Sequence, residues 1–238
     1  SQYSALDQIN RSNVSQLDVA WTFPVTGTVI FNPLVVDGVM YLTPQNNTIA
    51  AVEATTGKEI WRKQQQGGVG ARGLNYWESA DRKDRRLLFL AGGHLTAISA
   101  ETGDPIPTFG VNGRVDLRIA LSRQVNNPLQ TSNPGRIFEN TMIVSLPAQG
   151  AQYEANPAEI QAYDVVTGKV RWVFHVIPHP GEVGYETWPP EAYKKQGGVH
   201  NWSESTVDEQ RGIAFINLGS PRFDFYGGDR CGDNLFGN

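Results

Sequence analysis

One cysteine, Cys231, stands among 238 residues, which excludes an internal disulfide and a zinc site built from several thiolates. No apolar run approaches the ~20 residues that a transmembrane helix needs, and the start of the chain does not read as a signal peptide. A start at Ser1 without Met is compatible with a processed or trimmed chain, so composition leaves the compartment open. Lysine and arginine never form a run, and the net charge is -4. Nucleic acid and anionic membrane surfaces require a concentrated basic footprint, so neither is an expected partner. The densest charge run, Asp81-Arg82-Lys83-Asp84-Arg85-Arg86, is mixed in sign and reads as a solvated loop. A nucleophile elbow, a P-loop, a CxxCH haem site and a paired-carboxylate spacing are also missing.

What is present is a phrase repeated along the chain. Ala51-Val52-Glu53-Ala54-Thr55-Thr56-Gly57-Lys58-Glu59-Ile60-Trp61 returns as Ala162-Tyr163-Asp164-Val165-Val166-Thr167-Gly168-Lys169-Val170-Arg171-Trp172, and more weakly as Ala97 to Gly103. Repetition at tens of residues marks units that must stack on copies of themselves to bury their apolar faces. Between Pro33 and Arg62 the unit reads as four strands: Leu34 to Val36, Val39 to Leu42, Thr48 to Val52 and Glu59 to Arg62. Asp37-Gly38 suits a tight type I′ hairpin, since both of its central residues need positive φ. A second copy is expected from Leu87 through Gly103 and a third from Arg136 through His175. Four-stranded antiparallel units with Gly- and Pro-rich turns predict an all-β fold, a β-propeller.

The two ends are uneven. Val19-Ala20-Trp21-Thr22-Phe23 looks like the fourth strand of a unit that lacks its first three, as if closing a blade whose other strands lie beyond the chain. Ser203 to Val207 and Gly212 to Leu218 begin a new hairpin without its Thr-Gly turn and Trp strand. The expectation is a single incomplete propeller domain over 1–238, the N-terminal half of a longer ring.

Gly68-Val69-Gly70-Ala71-Arg72-Gly73 formally matches the dinucleotide fingerprint, but no helical apolar period follows it, which argues against that reading. The glycines suit close backbone approach. Arg72 either presents its guanidinium to a carboxylate-bearing ligand or makes a surface salt bridge. His94, His175, His179 and His200 show no metal-ligand spacing; Pro178 and Pro180 exclude a helix that would put His175 and His179 on one face. The long segment from Pro178 to Trp202, rich in Pro, Gly and aromatics, has the length of a functional loop.

Taken together these segments resemble the quinoprotein dehydrogenases, the pyrroloquinoline quinone (PQQ) dependent alcohol and sugar dehydrogenases, nearest the branch around membrane-type glucose dehydrogenase. The repeated phrase is similar to that family's tryptophan-docking motif, complete at Trp61 and Trp172 but with Pro107 where the second copy would carry Trp. Further matches are Leu6 to Val14, Ala71 to Trp77, Phe109 to Arg118 and Phe223 to Phe236. The resemblance implies an eight-bladed propeller with PQQ on its axis and Ca²⁺ beside it. By motif position it implies that Arg72 and Thr131 contact the quinone, that Trp202 forms the floor under its ring, and that His200 occupies a neighbouring cofactor position. The family's calcium-binding Glu and Asn align with Gln149 and Ser220, a weaker oxygen set for Ca²⁺.

The resemblance places the catalytic Asp beyond residue 238, so no catalytic residue is expected within this chain. It also implies oxidation of a sugar, such as an aldose like glucose, or an alcohol. Electrons would pass to ubiquinone or a cytochrome, and the location would be periplasmic. The alternative is a non-catalytic propeller whose docked blades serve as a protein-interaction scaffold.

Overall fold

The structure, a computed structural model, describes residues 6–27, 32–45, 47–150, 155–201 and 203–237. Among the described residues, three four-stranded antiparallel meanders follow one another, and a two-stranded hairpin comes after them. The first sheet contains β1 (Leu34–Val36), β2 (Val39–Gln45), β3 (Thr48–Glu53) and β4 (Glu59–Gln64). The second contains β5 (Asn75–Glu78), β6 (Arg85–Ala91), β7 (His94–Ser99) and β8 (Arg114–Asp116). The third contains β9 (Arg136–Phe138), β10 (Thr141–Ser145), β11 (Ile160–Asp164) and β12 (Val170–Phe174), and the hairpin is β13 (Thr206–Asp208) and β14 (Ile213–Phe215). These are propeller blades. Asp37 and Gly38 adopt φ of 50° and 77°, the left-handed pair that a type I′ turn demands.

Strand β6 shows why the inner strands read as continuous apolar runs. Leu87, Phe89 and Ala91 pack against the first blade, with Ile49, Ala51 and Trp61. Leu88 and Leu90 point the other way, into a cluster with Phe109, Met142, Val144 and Tyr163 of the second and third blades. Successive side chains leave opposite faces of a strand, and each face of this sheet has a blade against it. Both sets are therefore buried.

Each blade is joined to the next at its Thr-Gly turn. Trp61 of β4 lies over Gly103, where an added Cβ would fall 2.7 Å from the indole, and its Nε1–H donates to Ala100 O at 3.1 Å. Trp21 repeats the arrangement on the first blade: Gly57 leaves room for its ring, and its Nε1–H donates to Ala54 O at 3.0 Å. Residues 19–23 carry no strand pairing among the described residues; the Trp21 and Phe23 rings seat this segment against Leu42, Ala50 and Val52. Trp172, at the far side of the third blade, is 43% exposed.

The joint between the second and third blades lacks a tryptophan. The equivalent carbonyl, Val165 O, accepts instead from Arg86 Nη1 at 3.1 Å, and Val166 O accepts from the same nitrogen at 2.7 Å. Val115 and Phe109 take the space over Gly168 that an indole takes over the other turns. Arg86 is 3% exposed. The run 81–86 is thus not uniformly solvated: Arg82 stays on the surface with Asp37 and Glu78, but Arg86 enters the joint because two carbonyls there need a donor.

The second blade is also longer than the repeat implies. Asn75 to Glu78 is its first edge strand, and its fourth strand is delayed to Arg114–Asp116. Pro105 and Pro107 lack the N–H that a ladder requires, so regular pairing resumes only after the 104–113 loop.

Candidate functional site

Loops from several blades meet in one polar cavity of about 300 Å³. The Gly-rich segment enters after β4 and is laid along the 130–133 loop. Gly70 has no space for a side chain, since a Cβ would lie 3.0 Å from Thr131 O, and Arg72 N donates to Ser132 O at 3.2 Å. No helix follows; β5 begins at Asn75. The glycines therefore bring the backbones together and deliver the Arg72 side chain to the cavity wall.

The rest of the wall is held by amides. Gln149 Nε2 donates to Gln130 O at 2.8 Å. Asn133 Nδ2 donates to Asn201 Oδ1 at 2.6 Å and Ser203 O at 2.7 Å, while Asn201 Nδ2 donates to Asn217 Oδ1 at 3.1 Å. Asn133 and Asn201 are both buried, so this network ties the third blade to the β13–β14 hairpin and fixes one side of the cavity. Arg222 adds a second guanidinium, anchored by Nε to Ala148 O at 3.2 Å and by Nη1 to Asp224 Oδ1 at 3.3 Å. Burial, and then the positive charge of Arg222, push the His200 pKa below the usual histidine range against the opposing pull of Asp224. Its imidazole is neutral at pH 7.

Arg72, Thr131, Gln149 and His200, far apart in sequence, share this cavity. Ser220 does not line it; its carbonyl lies beside Gly198, 3.4 Å from where a Cβ would sit. Trp202 lies outside the described residues. Gln130, Asn133, Asn201 and Arg222 also line the cavity and were missed in the sequence. Gln130 and Asn201 adjoin residues already singled out, whereas Asn133 and Arg222 carry no motif of their own.

The whole chain, residues 1–238, matches the model of the PQQ glucose/ethanol/alcohol dehydrogenase β-propeller domain family. The chain belongs to this family. The quinate/shikimate dehydrogenase (quinone) of Acinetobacter baylyi is 31% identical over 97% of the chain and 32% of its own length. The quinoprotein glucose dehydrogenase of Gluconobacter oxydans is 28% identical over 98% of the chain and 32% of its own length. Among solved structures, the quinohemoprotein alcohol dehydrogenase of Comamonas testosteroni superposes with a TM-score of 0.71 at 26% identity, covering 92% of the chain and 33% of that protein. The chain spans about a third of the length of these PQQ-dehydrogenase relatives. No helix among the described residues is long and apolar enough to cross a membrane.

Proposed function

We propose that this chain is the N-terminal part of a PQQ-dependent dehydrogenase that oxidises CH–OH groups of a sugar or alcohol, and that the 300 Å³ cavity holds one side of the cofactor. The observation that carries the reading is the donor set: two guanidiniums, Arg72 and Arg222, with the Thr131 hydroxyl and the Gln130 and Gln149 amides around one cavity. Guanidinium forks and neutral donors suit an acidic quinone that bears carboxylates and carbonyls.

When bound, PQQ supplies the two-electron redox centre that neither this chain's side chains nor its backbone can provide. Arg72 and Arg222 would orient the carboxylates, Thr131 would offer its hydroxyl to a quinone oxygen, and His200 would complete the wall. By its motif position, Trp202 would be the floor under the ring. No residue of this chain is assigned as the general base.

Calcium fits less well. Among the described residues no carboxylate lines the cavity, and an amide and a hydroxyl from Gln149 and Ser220 are a poor set for a hard cation. No step is assigned to a metal here. A periplasmic location and electron transfer to ubiquinone or a cytochrome belong to the same proposal.

Full-length protein reconstituted with PQQ and assayed by dye reduction with aldoses and primary alcohols is expected to turn over at least one of them. Absence of both turnover and a quinone absorption spectrum leaves the interaction scaffold as the reading.

A further inference from the structure

We propose that Glu159, His175 and His179 form a site for a single divalent transition-metal ion of the zinc class, in a separate small cavity at the ends of β11 and β12. The register of β11 and β12 creates it. Ile160 pairs with Phe174, so the next residues outward, Glu159 and His175, are neighbours across the strand ends. His175 Nε2 lies 4.0 Å from Glu159 Oε1. Its other nitrogen, Nδ1, is 2.8 Å from Glu182 Oε1. A carboxylate only accepts, so Nδ1 carries a proton, which leaves Nε2, on the Glu159 side, as the ring nitrogen that would ligate an ion.

The chain then folds back through Pro178. The His179 ring stacks on His175 with centroids 3.9 Å apart and planes 3° from parallel, and Glu182 Oε2 accepts from His179 N at 2.7 Å. Proline spacing excluded a shared helical face for these histidines; a loop achieves the proximity that a helix would have given. One ligand atom from each of Glu159, His175 and His179 lies within 4.8 Å of the others. Zinc bonds of about 2.0–2.2 Å place tetrahedral ligands roughly 3.3 Å apart. Binding therefore draws each group inward by about 1 Å and tilts the two imidazoles out of their stack toward a common point.

Two further features point to an ion. Gln196 lines the same cavity, is 2% exposed, and its Oε1 is buried without a hydrogen-bond partner among the described residues. It is placed to be a fourth oxygen ligand or to accept from a metal-bound water. The cavity measures about 10 Å³, room for a single ion or water.

Glu159, for its part, is 2% exposed and shares one amide donor, Ser122 N, at 3.2 and 3.3 Å between its two oxygens. The nearby Arg123 guanidinium is directed at backbone carbonyls of Ala155 and Gln196. A cation held between this carboxylate and the two imidazoles would add to the compensation that Ser122, His175 and Arg123 already give it against burial. Two imidazoles with one carboxylate favour Zn²⁺ and its neighbours over Ca²⁺ or Mg²⁺, which prefer all-oxygen shells. The ion would pin the loop that leads through Gly198 to His200, and so set the position of one wall of the larger cavity.

The test uses the full-length protein, stripped by chelation, desalted and prepared without PQQ. It is titrated calorimetrically with ZnCl₂ and spectroscopically with CoCl₂. One Zn²⁺ per chain is expected with micromolar or tighter affinity, and Co²⁺ should develop the visible bands of a tetrahedral site. His179→Ala should weaken Zn²⁺ binding by more than the ~10–100-fold typical of an orienting partner, and Glu182→Gln by an amount within that range. His94→Ala should change nothing. His179→Gln, which keeps the packing, serves if the alanine variant is misfolded by circular dichroism. Absence of Zn²⁺ binding in the unmutated protein, or affinity unchanged in the His179 variant, overturns the proposal.

Discussion

Arg86→Met removes the donor that replaces an indole at the joint between the second and third blades, while keeping most of the side-chain bulk. Arg86 Nη1 serves Val165 O and Val166 O at 3.1 and 2.7 Å, and the guanidinium sits 5.6 Å over the Trp77 ring. With the side chain 4% exposed, water does not readily replace it. Leaving two carbonyls unpaired in a dry joint costs about 1–1.5 kcal/mol each, and losing the cation over Trp77 adds roughly 0.5–1 kcal/mol. The pairing with Asp84 adds little, because that carboxylate is 36% exposed and rehydrates. The expected loss is about 3 kcal/mol, or a Tm lowered by roughly 6–12 °C on the scale of a domain this size.

The measurement is a urea midpoint at unchanged m-value, with Arg85→Met as the control. Arg85 is one residue away and 33% exposed, with a loose 3.9 Å contact to Glu101, so its loss should stay within about 0.5 kcal/mol. Equal midpoints for the two variants would refute the idea that Arg86 stands in for the missing tryptophan.

Gly103→Ala places a Cβ 2.7 Å from Trp61 at a φ of 73° and should cost about 2–4 kcal/mol by denaturation, whereas Gly38→Ala, with nothing within 4 Å, should cost only the ~1 kcal/mol of its left-handed backbone. Arg72→Met should weaken PQQ binding to the full-length protein, read by fluorescence titration, with little change in melting; an unchanged affinity would return Arg72 to a surface role. Trp202→Ala should weaken PQQ binding far more than Trp61→Ala, and equal losses would make Trp202 part of the core. Burial alone would raise the Asp164 pKa, but hydrogen bonds from Arg171, Thr167 and Val166 prevail and hold it at about 2. A depressed carboxylate stabilises the fold above its unfolded pKa and loses that contribution as pH falls toward 2, so Asp164→Asn should flatten the stability curve between about pH 4 and 2; an unaltered acid limb would contradict this.

Sequence alone determined the blade. Short apolar strands between polar turns, the Asp-Gly hairpin and the recurring Thr-Gly…Trp phrase are local rules that act within a few tens of residues, and each is readable without knowing what lies opposite. The motif resemblance also singled out Arg72, Thr131, Gln149 and His200, which share one cavity. Tertiary structure decided what depends on a neighbour. Pro107 shows that a tryptophan is missing, but not that Arg86, from another strand, supplies the hydrogen bond to Val165 O. The spacing of His175 and His179 argues against a shared site, and only the strand register beside them brings Glu159 within reach. A side chain's type is written in the sequence; the partner it meets across a blade is fixed by how the sheets stack.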